Sequence, residues 1–512
     1  MRYTYLTLVI LIIAAITLLQ ILFVPRSEEL NETLLLDNSF KYPEDSMNSN
    51  VSESEAMSWA LETREAMRHI WSGYKEAGFG SDEVKPVTGE PSNNWGGLSM
   101  SVVDSLSTLW LMDMKEEFND GVDWLANNLN VGNGTARGLR STFEITIRVL
   151  GGLVSAFDLS ERPELLIKSR QVGDLRLGAF SSDDNLFQTH IDMGTGECSD
   201  RSSTSLSQAG SMLLEFTALS RITNDPKYQL AAQTAMNKLM RIVNGRGIVG
   251  HRIVPNDAVA EITVGAEADS YYEYLLKGWL QTGRKDETLK TNWIQFTEAL
   301  PRLLKTSVGG RTFAGDMHLD VVGNRMQHLS CFVGGNLILG ARTIDGQSND
   351  SIANLELMAK ELTRTCMDMY TSTATGLGPE ISHFNSKSTD RPDITASSAE
   401  YILRPEAIES AYYMHYFTNE PKYLRWGKRV LDALNKHCKV QYGYSSIRNV
   451  NEIPVKHSNK QETFMMAETL KYLYLLFSPK SKLDLNKWVL NTEAHPVKIS
   501  DQHPVDITLI RF

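Results

Sequence analysis

A turn motif recurs along this chain, and it constrains the fold more than any other feature. The segments LSRITNDPKY (219–228) and MHYFTNEPKY (414–423) share T-N-[DE]-P-K-Y, and AFDLSERPEL (156–165) is a looser copy. Each follows an apolar run whose residues recur at the spacing of a helix face. Each copy therefore predicts a helix that ends at a polar turn, followed by a second helix that begins at the proline.

Repeated helical hairpins predict a closed ring or a solenoid of paired helices. LLKGWLQTGRKDETL (275–289) is a fourth turn of this sort with a different sequence. A length of 512 residues alone would suggest about three domains, but a ring of hairpins accounts for residues 56–498 as one domain. The alternative is an ordinary helical bundle in which a turn motif recurs.

Composition excludes several classes of protein. The chain has 51 Lys and Arg residues against 62 Asp and Glu residues, a net charge of −11, and no basic block, which argues against a nucleic-acid partner. None of its 4 cysteines stands in a C-x-x-C pair, so a structural zinc site is not predicted.

The N-terminal segment indicates the cellular compartment of the protein. Residues 6–24 carry no charge, and a helix of that length matches the apolar core of a bilayer. We expect an uncleaved transmembrane anchor that follows a cytoplasmic tail of residues 1–5. A cleaved signal peptide is the alternative, although Pro25-Arg26-Ser27 offers no small-residue cleavage site. A soluble helix is the remaining alternative.

The order of the segments predicts a single-pass type II membrane protein of the endoplasmic reticulum or Golgi, with its globular domain in the lumen. Residues 25–55 are polar and acidic and predict a luminal stem, and residues 499–512 form a short tail. Four Asn-x-Ser/Thr sequons predict N-glycosylation in that compartment, at Asn31, Asn50, Asn133 and Asn349.

Four polar residues occupy equivalent positions in the repeats. Each lies 14 to 19 residues before the turn that ends its helix, namely Glu144, Gln208, Asp269 and Glu406. If these helices run parallel as the inner members of their hairpins, the four side chains meet at one rim of the ring. Converging carboxylates suit general acid–base hydrolysis of a glycosidic bond. For any single acid, the alternative is that it complements the helix dipole.

The same segments resemble class I α1,2-mannosidases, glycoside hydrolase family 47. The resemblance runs in chain order through HIWSGYKEAGFGSDEVKP (69–86), WGGLSMSVVDSLSTLWLM (95–112), FEITIRVLGGLVSAFDLS (143–160), ADSYYEYLLKGWLQTG (268–283), YILRPEAIES (401–410), ETFMMAETLKYLYLLFS (462–478) and NTEAHP (491–496). It implies an all-α fold, an (αα)₇ barrel with minor β-hairpins. It also implies inverting, Ca²⁺-dependent removal of terminal α1,2-linked mannose from high-mannose N-glycans of the Man₉GlcNAc₂ type.

The resemblance also implies roles for individual residues. By motif position, Glu144 is the general acid, Glu406 the general base and Asp269 a third essential carboxylate, while Thr492 holds Ca²⁺ through its oxygens. Cys331 and Cys366 match a disulfide of the family, while Cys198 and Cys438 have no assigned partner. Further positions match residues that contact substrate, namely Arg148, His328, Arg404, Glu409, Phe464, Glu468 and Glu493.

Some positions depart from the family pattern, namely Ser107, Gln208, Glu267 and Ser398. These departures leave the choice of mannose branch and the extent of trimming open, and the oligomeric state is not predicted. They motivate a rival from another class, a lectin-like factor that binds mannose-rich glycans in quality control without hydrolysing them efficiently. A purely structural toroid is a third possibility.

Overall fold

The computed structural model describes residue 47 and residues 49–132, 138–181, 183–198, 204–254 and 257–500. These residues belong to one compact unit, Tyr42–Phe512. The predicted cytoplasmic tail (1–5) and anchor (6–24), the sequons at Asn31 and Asn133, and nearly all of the C-terminal tail lie outside the described residues. Within the described ranges, no helix combines the length and apolar character needed to cross a membrane.

Helices dominate the described residues. Fourteen of them have eight or more residues: α1 Glu53–Gly78, α2 Met100–Leu111, α3 Lys115–Asn128, α4 Gly151–Ser160, α5 Pro163–Leu177, α6 Leu213–Thr223, α7 Lys227–Val243, α8 Asp269–Gln281, α9 Glu287–Ala299, α10 Phe332–Thr343, α11 Asn349–Thr371, α12 Glu406–Thr418, α13 Pro421–His437 and α14 Leu470–Phe477. The first begins three residues before the predicted domain start at residue 56.

The helices form a closed ring of seven hairpins. Each even-numbered helix packs against the next even-numbered helix, and the π-helical segment Met465–Thr469 ahead of α14 packs on α2, which closes the ring. Odd-numbered helices lie behind their even-numbered partners, and α1 packs on α14 to complete the seventh pair. The predicted ring of paired helices is therefore confirmed, and the ordinary-bundle alternative is wrong.

The recurrent turns have the predicted form. Asn224 and Asn419 end α6 and α12 in the left-handed conformation, with φ of 53° and 56°, and Glu161 ends α4 at 58°. Asn adopts this conformation more readily than most residues. Pro163 and Pro421 then begin the next helix, where a missing N–H costs no hydrogen bond, whereas Pro226 directly precedes α7, which begins at Lys227.

Short strands lie in the segments that connect the helices. They are β1 Glu83–Val84, β2 Pro91–Ser92, β3 Leu139–Ser141, β4 Phe180–Ser181, β5 Leu186–Phe187, β6 His190–Asp192, β7 Thr204–Ser205, β8 Gly250–Val254, β9 Asp257–Ile262, β10 Leu304–Thr306, β11 Thr312–Ala314, β12 Met317–His318, β13 Val321–Val322, β14 Arg325–Gln327, β15 Ile381–Phe384, β16 Ile394–Ser398, β17 Lys439–Val440, β18 Gly443–Tyr444, β19 Trp488–Leu490 and β20 Pro496–Lys498.

Among the described residues, two sheets have more than two strands. A five-stranded sheet has the order β13-β12-β9-β8-β7, and a three-stranded sheet has the order β14-β15-β16. The hairpin β19–β20 packs against the inner helices α4, α6 and α8. It thereby carries the loop 491–495 into the centre of the ring.

The cysteines pair as the family resemblance implies. A disulfide joins Cys331, directly before α10, to Cys366 in α11, whereas Cys198 and Cys438 are free thiols. The two described sequons, at Asn50 and Asn349, are both exposed. Exposure of both asparagines is compatible with the predicted modification.

We expect the double variant Cys331→Ala/Cys366→Ala to lose about 3–4 kcal/mol of unfolding free energy, because the disulfide closes a long loop in the unfolded chain. The bridged residues are 35 positions apart. Urea denaturation followed by tryptophan fluorescence measures the loss. Cys198→Ala, which removes a free thiol, is the control, and equal midpoints for the double variant and wild type would contradict the prediction.

Candidate active site

The predicted carboxylates share one cavity. Glu144 ends the one-turn helix Thr142–Glu144, Asp269 is the first residue of α8 and Glu406 is the first residue of α12. All three line a cavity of about 530 Å³, and so does Gln208. The structure thus brings together polar residues from four separate inner segments of the ring.

Arg148 organises one wall of this cavity. It lies in the π-helical segment Ile145–Leu150, and its Nε donates to Glu144 Oε2 at 2.7 Å. A second nitrogen pairs with Glu493 and with Asp104 Oδ2, the latter at 3.4 Å. The side chain is 11% exposed. Burial lowers the pKa of Arg148, but the three carboxylates outweigh burial and raise its pKa well above the ordinary value.

A buried hydrogen-bond chain supports Arg148 from behind. Asp104 Oδ1 lies 3.0 Å from Nε2 of His495, and His495 Nδ1 lies 3.0 Å from the hydroxyl of Ser107. Burial raises the pKa of Asp104, but His495 and Arg148 outweigh it, so the net direction is downward. Burial lowers the pKa of His495 to about 4. Ser107, one of the departures from the family pattern, is therefore a buried partner of His495 and does not line the cavity.

Glu406 has the environment of an ionised base. Its Oε2 lies 2.8 Å from Nδ1 of His328, and its Oε1 lies 3.5 Å from the guanidinium of Arg404. Burial raises the pKa of Glu406, but Arg404 and His328 outweigh burial and hold it below the usual value. A carboxylate in this state accepts a proton from water near neutral pH.

His328, which was expected to contact substrate, lies behind the cavity wall. It is fully buried and does not line the cavity. Its Nε2 lies 2.8 Å from the hydroxyl of Tyr370, while its Nδ1 faces Glu406. The sequence motif could not reveal this orientation, because it depends on contact between segments 42 and 78 residues away.

Asp269 is held mainly by two donors, with the hydroxyl of Ser270 as a third at 3.4 Å from its Oδ1. The hydroxyl of Ser207 donates to its Oδ1 at 2.7 Å, and the backbone N–H of Ser270 donates to the same oxygen at 2.8 Å. Burial raises the pKa of Asp269 to about 6, although both donors oppose this shift. Asp269 therefore changes charge close to physiological pH.

We expect kcat/KM to fall as the pH drops through about 6, because protonation of Asp269 removes a cavity charge. In Ser207→Ala the carboxylate loses a donor that favours its charged form, so its pKa rises and this limb moves up by about one pH unit. Ser169→Ala is the control, because the buried hydroxyl of Ser169 donates to the carbonyl of Leu165 within the outer helix α5. If the acid limb of the kcat/KM profile lay at the same pH in Ser207→Ala and in wild type, protonation of Asp269 would not be its cause.

Further acids lie around the cavity. Burial raises the pKa of Glu409 to about 8 and raises that of Glu468 well above its ordinary value. The buried ammonium of Lys277 pairs with Glu273 and, at 3.4 Å, with Glu409. Lys277 thereby offsets part of the negative charge from behind the wall.

Phe464 lines the cavity between two guanidinium groups. The centre of its ring lies 5.7 Å from Arg148 and 5.8 Å from Arg404. An aromatic face flanked by fixed fork-shaped donors suits a sugar ring, which presents apolar C–H groups and hydroxyls together.

Thr492 lies at the tip of the β19–β20 hairpin. Its N–H donates to the hydroxyl of Tyr274 at 3.3 Å. The side chain of Asn491 fixes the loop by accepting from the N–H groups of Glu493 and His495 at 2.9 and 2.7 Å. The hydroxyl and carbonyl oxygens of Thr492 accept no hydrogen bond from any described residue, and Thr492 lines the cavity.

These features fit a hard divalent cation. Among the described residues, two arginines line the cavity, against eight acidic side chains: Glu144, Glu267, Asp269, Glu273, Glu406, Glu409, Glu468 and Glu493. Across the described ranges, no group of three or more His, Cys, Asp or Glu side chains is placed to hold a metal. A cation here would therefore take oxygens of Thr492 together with water and ligand hydroxyls, which is chemistry that Ca²⁺ accepts.

Sequence reasoning missed several lining residues. Trp95 lines the cavity and donates its indole N–H to Glu83 at 2.9 Å. Glu273 follows Asp269 by one helical turn, and that spacing could have identified it. Among the departures from the family pattern, Gln208 and Glu267 line the cavity, whereas Ser398 lies on β16 outside it.

Comparison with known proteins decides the family. The sequence model of glycosyl hydrolase family 47 matches residues 66–499. The chain belongs to glycosyl hydrolase family 47. The prediction of family membership is confirmed, and with it the prediction that the chain is an enzyme of the glycoside hydrolase class.

Individual relatives agree with this family 47 membership. Human mannosyl-oligosaccharide 1,2-alpha-mannosidase IC is 35% identical over 458 residues, covering 88% of this chain and 72% of the relative. The endoplasmic reticulum mannosyl-oligosaccharide 1,2-alpha-mannosidase of Rattus norvegicus is 37% identical over 452 residues, covering 85% and 67%. The solved structure of the alpha-1,2-mannosidase from Trichoderma reesei superposes with a TM-score of 0.81 at 26% identity, covering 87% of this chain and 99% of that one.

Proposed function

We propose that this family 47 enzyme is an inverting, Ca²⁺-dependent α1,2-mannosidase that removes terminal mannose from high-mannose N-glycans. The observation that carries the proposal is the convergence of Glu144, Asp269 and Glu406 from three separate inner segments on one cavity. The relatives named above as mannosyl-oligosaccharide 1,2-alpha-mannosidases support the choice of substrate.

In the proposed mechanism, Glu144 in its protonated form donates its proton to the leaving glycosidic oxygen, while Glu406 takes a proton from the attacking water. Proton exchange of both groups with solvent after product release restores the starting state. Arg148 holds the Glu144 carboxyl at 2.7 Å, and His328 and Arg404 keep Glu406 ionised. Because the acid and the base act on opposite sides of the sugar, the anomeric configuration inverts. Phe464, Arg148 and Arg404 would hold the terminal ring in place.

The oxygens of Thr492 would hold Ca²⁺, which supplies a fixed positive charge that orients sugar hydroxyls in the cavity. The surplus of acidic over basic side chains among the described lining residues supports a cation at this place. Glu409, Glu468 and Glu493 would contact the sugar or its ordered waters. The lectin-like alternative is not favoured, because binding of a glycan requires neither an ionised Glu406 nor a Glu144 carboxyl held by Arg148.

The test uses the full chain with Ca²⁺ and three disaccharides, α1,2-, α1,3- and α1,6-mannobiose, followed by Man₉GlcNAc₂. We expect release of mannose from the α1,2-linked substrates only. A chelator should stop release, and added Ca²⁺ should restore it. Binding of Man₉GlcNAc₂ without any release would overturn the proposal in favour of a lectin.

We also propose that residues 6–24 anchor the enzyme, with residues 1–5 cytoplasmic, residues 25–55 as a stem and the catalytic domain (56–498) in the lumen of the endoplasmic reticulum or Golgi. The uncharged apolar run supports the anchor. Alkaline carbonate extraction and protease protection of microsomes test it. Release of the chain into the carbonate supernatant would contradict the anchor.

A further inference from the structure

Two buried ionisable residues outside the cavity both support the loop 491–495. Glu215 lies on α6 and Lys471 lies on α14, and both are fully buried. Neither is among the described residues that line the cavity, whereas Thr492 in the loop does line it. Neither takes part in the proposed acid–base chemistry. Burial of ionisable groups is costly, so their presence beside this loop requires an explanation.

Glu215 holds the loop through two other side chains. Its Oε1 accepts a hydrogen bond from the hydroxyl of Tyr274 and another from the side-chain amide of Asn491, both at 2.7 Å. The hydroxyl of Tyr274 in turn accepts from the N–H of Thr492, and the side-chain oxygen of Asn491 accepts from two N–H groups later in the loop. Glu215 is therefore the shared partner of both side chains that bond the loop backbone.

Lys471 holds the other end of the loop. Its Nζ donates to the carbonyl of Ala494 at 2.6 Å. Ala494 has φ of +54°, in the left-handed region that is disfavoured for alanine, so surrounding contacts have to maintain this conformation. At the first loop residue, a Cβ added to Gly151 would lie 2.7 Å from Nδ2 of Asn491, so the start of α4 also packs closely against the loop.

These supports are unfavourable for folding alone. Oε2 of Glu215 is buried and accepts no hydrogen bond from a described residue, which adds a desolvation cost to that of the buried ammonium of Lys471. Apolar residues of similar size would cost less. The compensating gain is an ordered loop. A cation held by one threonine, water and sugar hydroxyls has few protein ligands, so its affinity depends strongly on how firmly that threonine is held.

We propose that Glu215 and Lys471 are positioning residues that keep the loop 491–495 in the conformation in which Thr492 binds a divalent cation. This inference rests on the proposed Ca²⁺ dependence. A loop that is already ordered loses little conformational entropy when the cation binds. The two residues therefore raise cation affinity without contacting the cation.

The test uses the full chain after treatment with a chelator. Glu215→Met and Lys471→Met each remove one support. Glu215→Gln is the conservative variant, because its amide oxygen can accept both hydrogen bonds and its NH₂ group replaces the oxygen that accepts none. Lys168→Met is the matched control, because Lys168 is a buried lysine of the outer helix α5 whose Nζ donates to the carbonyl of Leu129 at 2.7 Å.

Isothermal titration calorimetry with Ca²⁺ alone measures Kd. We expect Glu215→Met and Lys471→Met to raise Kd about 10–100-fold, and Glu215→Gln to restore a Kd close to that of wild type. Lys168→Met should lower the urea midpoint and leave Kd unchanged. Hydrogen exchange of the Ca²⁺-free protein measures loop order directly. The amides of the loop should exchange faster in both Met variants than in wild type.

An unchanged Kd in either Met variant would exclude that residue from the positioning role. A rise of equal size in Lys168→Met would overturn the inference, because general loss of stability would then explain the effect. If wild type bound no Ca²⁺, the proposed Ca²⁺ dependence would be refuted and loop exchange would decide the positioning role. Faster exchange in the Met variants would support that role, and equal exchange rates would overturn it.

Discussion

Replacing Glu406 with Gln should lower kcat by about 10²–10⁴-fold, because the amide cannot accept a proton from the attacking water. The substitution is nearly isosteric, and the amide oxygen can still accept a hydrogen bond from Nδ1 of His328, which lies 2.8 Å from Glu406. We therefore expect substrate affinity to change little. Mannose release from α1,2-mannobiose measures kcat, and isothermal titration calorimetry of the inactive variant measures binding.

Glu400→Gln is the matched control for Glu406→Gln. Glu400 is exposed and bonds the hydroxyl of Ser398, outside the cavity. Its substitution should leave kcat unchanged. If Glu406→Gln retained wild-type turnover, Glu406 would lose the role of base, and the two remaining carboxylates, Glu144 and Asp269, would have to be reassigned.

Replacing Arg148 with Met should have the largest effect on stability. The guanidinium pairs with Glu144, Asp104 and Glu493, and only 11% of it is exposed. Its loss leaves three neighbouring carboxylates without their cation. Breaking a buried ion pair from one side costs about 3–5 kcal/mol, so we expect at least that loss of unfolding free energy. Activity should fall with it, because Glu144 loses its positioning partner.

Guanidinium chloride denaturation measures the effect of Arg148→Met. Arg342→Met is the control, because the side chain of Arg342 is 42% exposed and its pair with Glu356 should contribute less than about 1 kcal/mol. Arg148→Lys restores the charge without the planar fork, so it should recover part of the stability and little of the activity. Equal stability of Arg148→Met and Arg342→Met would contradict the account of the cavity wall.

The helical ring was predictable from sequence because its information is local. The three hairpins that share the turn motif can be identified by apolar periodicity, a residue in the left-handed conformation such as Asn224, and a proline at or beside the start of the next helix. Glu144, Asp269 and Glu406 occupy equivalent positions of the repeats, which predicts that their side chains meet. All three line one cavity in the structure.

What the sequence could not predict depends on distant contacts. Apolar periodicity does not distinguish an α-helix from the π-helical segments Ile145–Leu150 and Met465–Thr469, which orient Arg148 and Glu468. The position of His328 behind Glu406, rather than in the cavity, results from packing between separate hairpins. The insertion of Thr492 by the β19–β20 hairpin likewise depends on contacts with three inner helices.

The most direct test of the proposed mechanism is the anomeric configuration of the first mannose released. The full-length enzyme is mixed with α1,2-mannobiose and Ca²⁺ in an NMR tube, and the anomeric proton signals are followed before mutarotation equilibrates them. A water activated by Glu406 opposite an acid at Glu144 predicts that β-mannose appears first. Initial appearance of α-mannose would contradict this account, because it requires a nucleophilic carboxylate and a covalent intermediate.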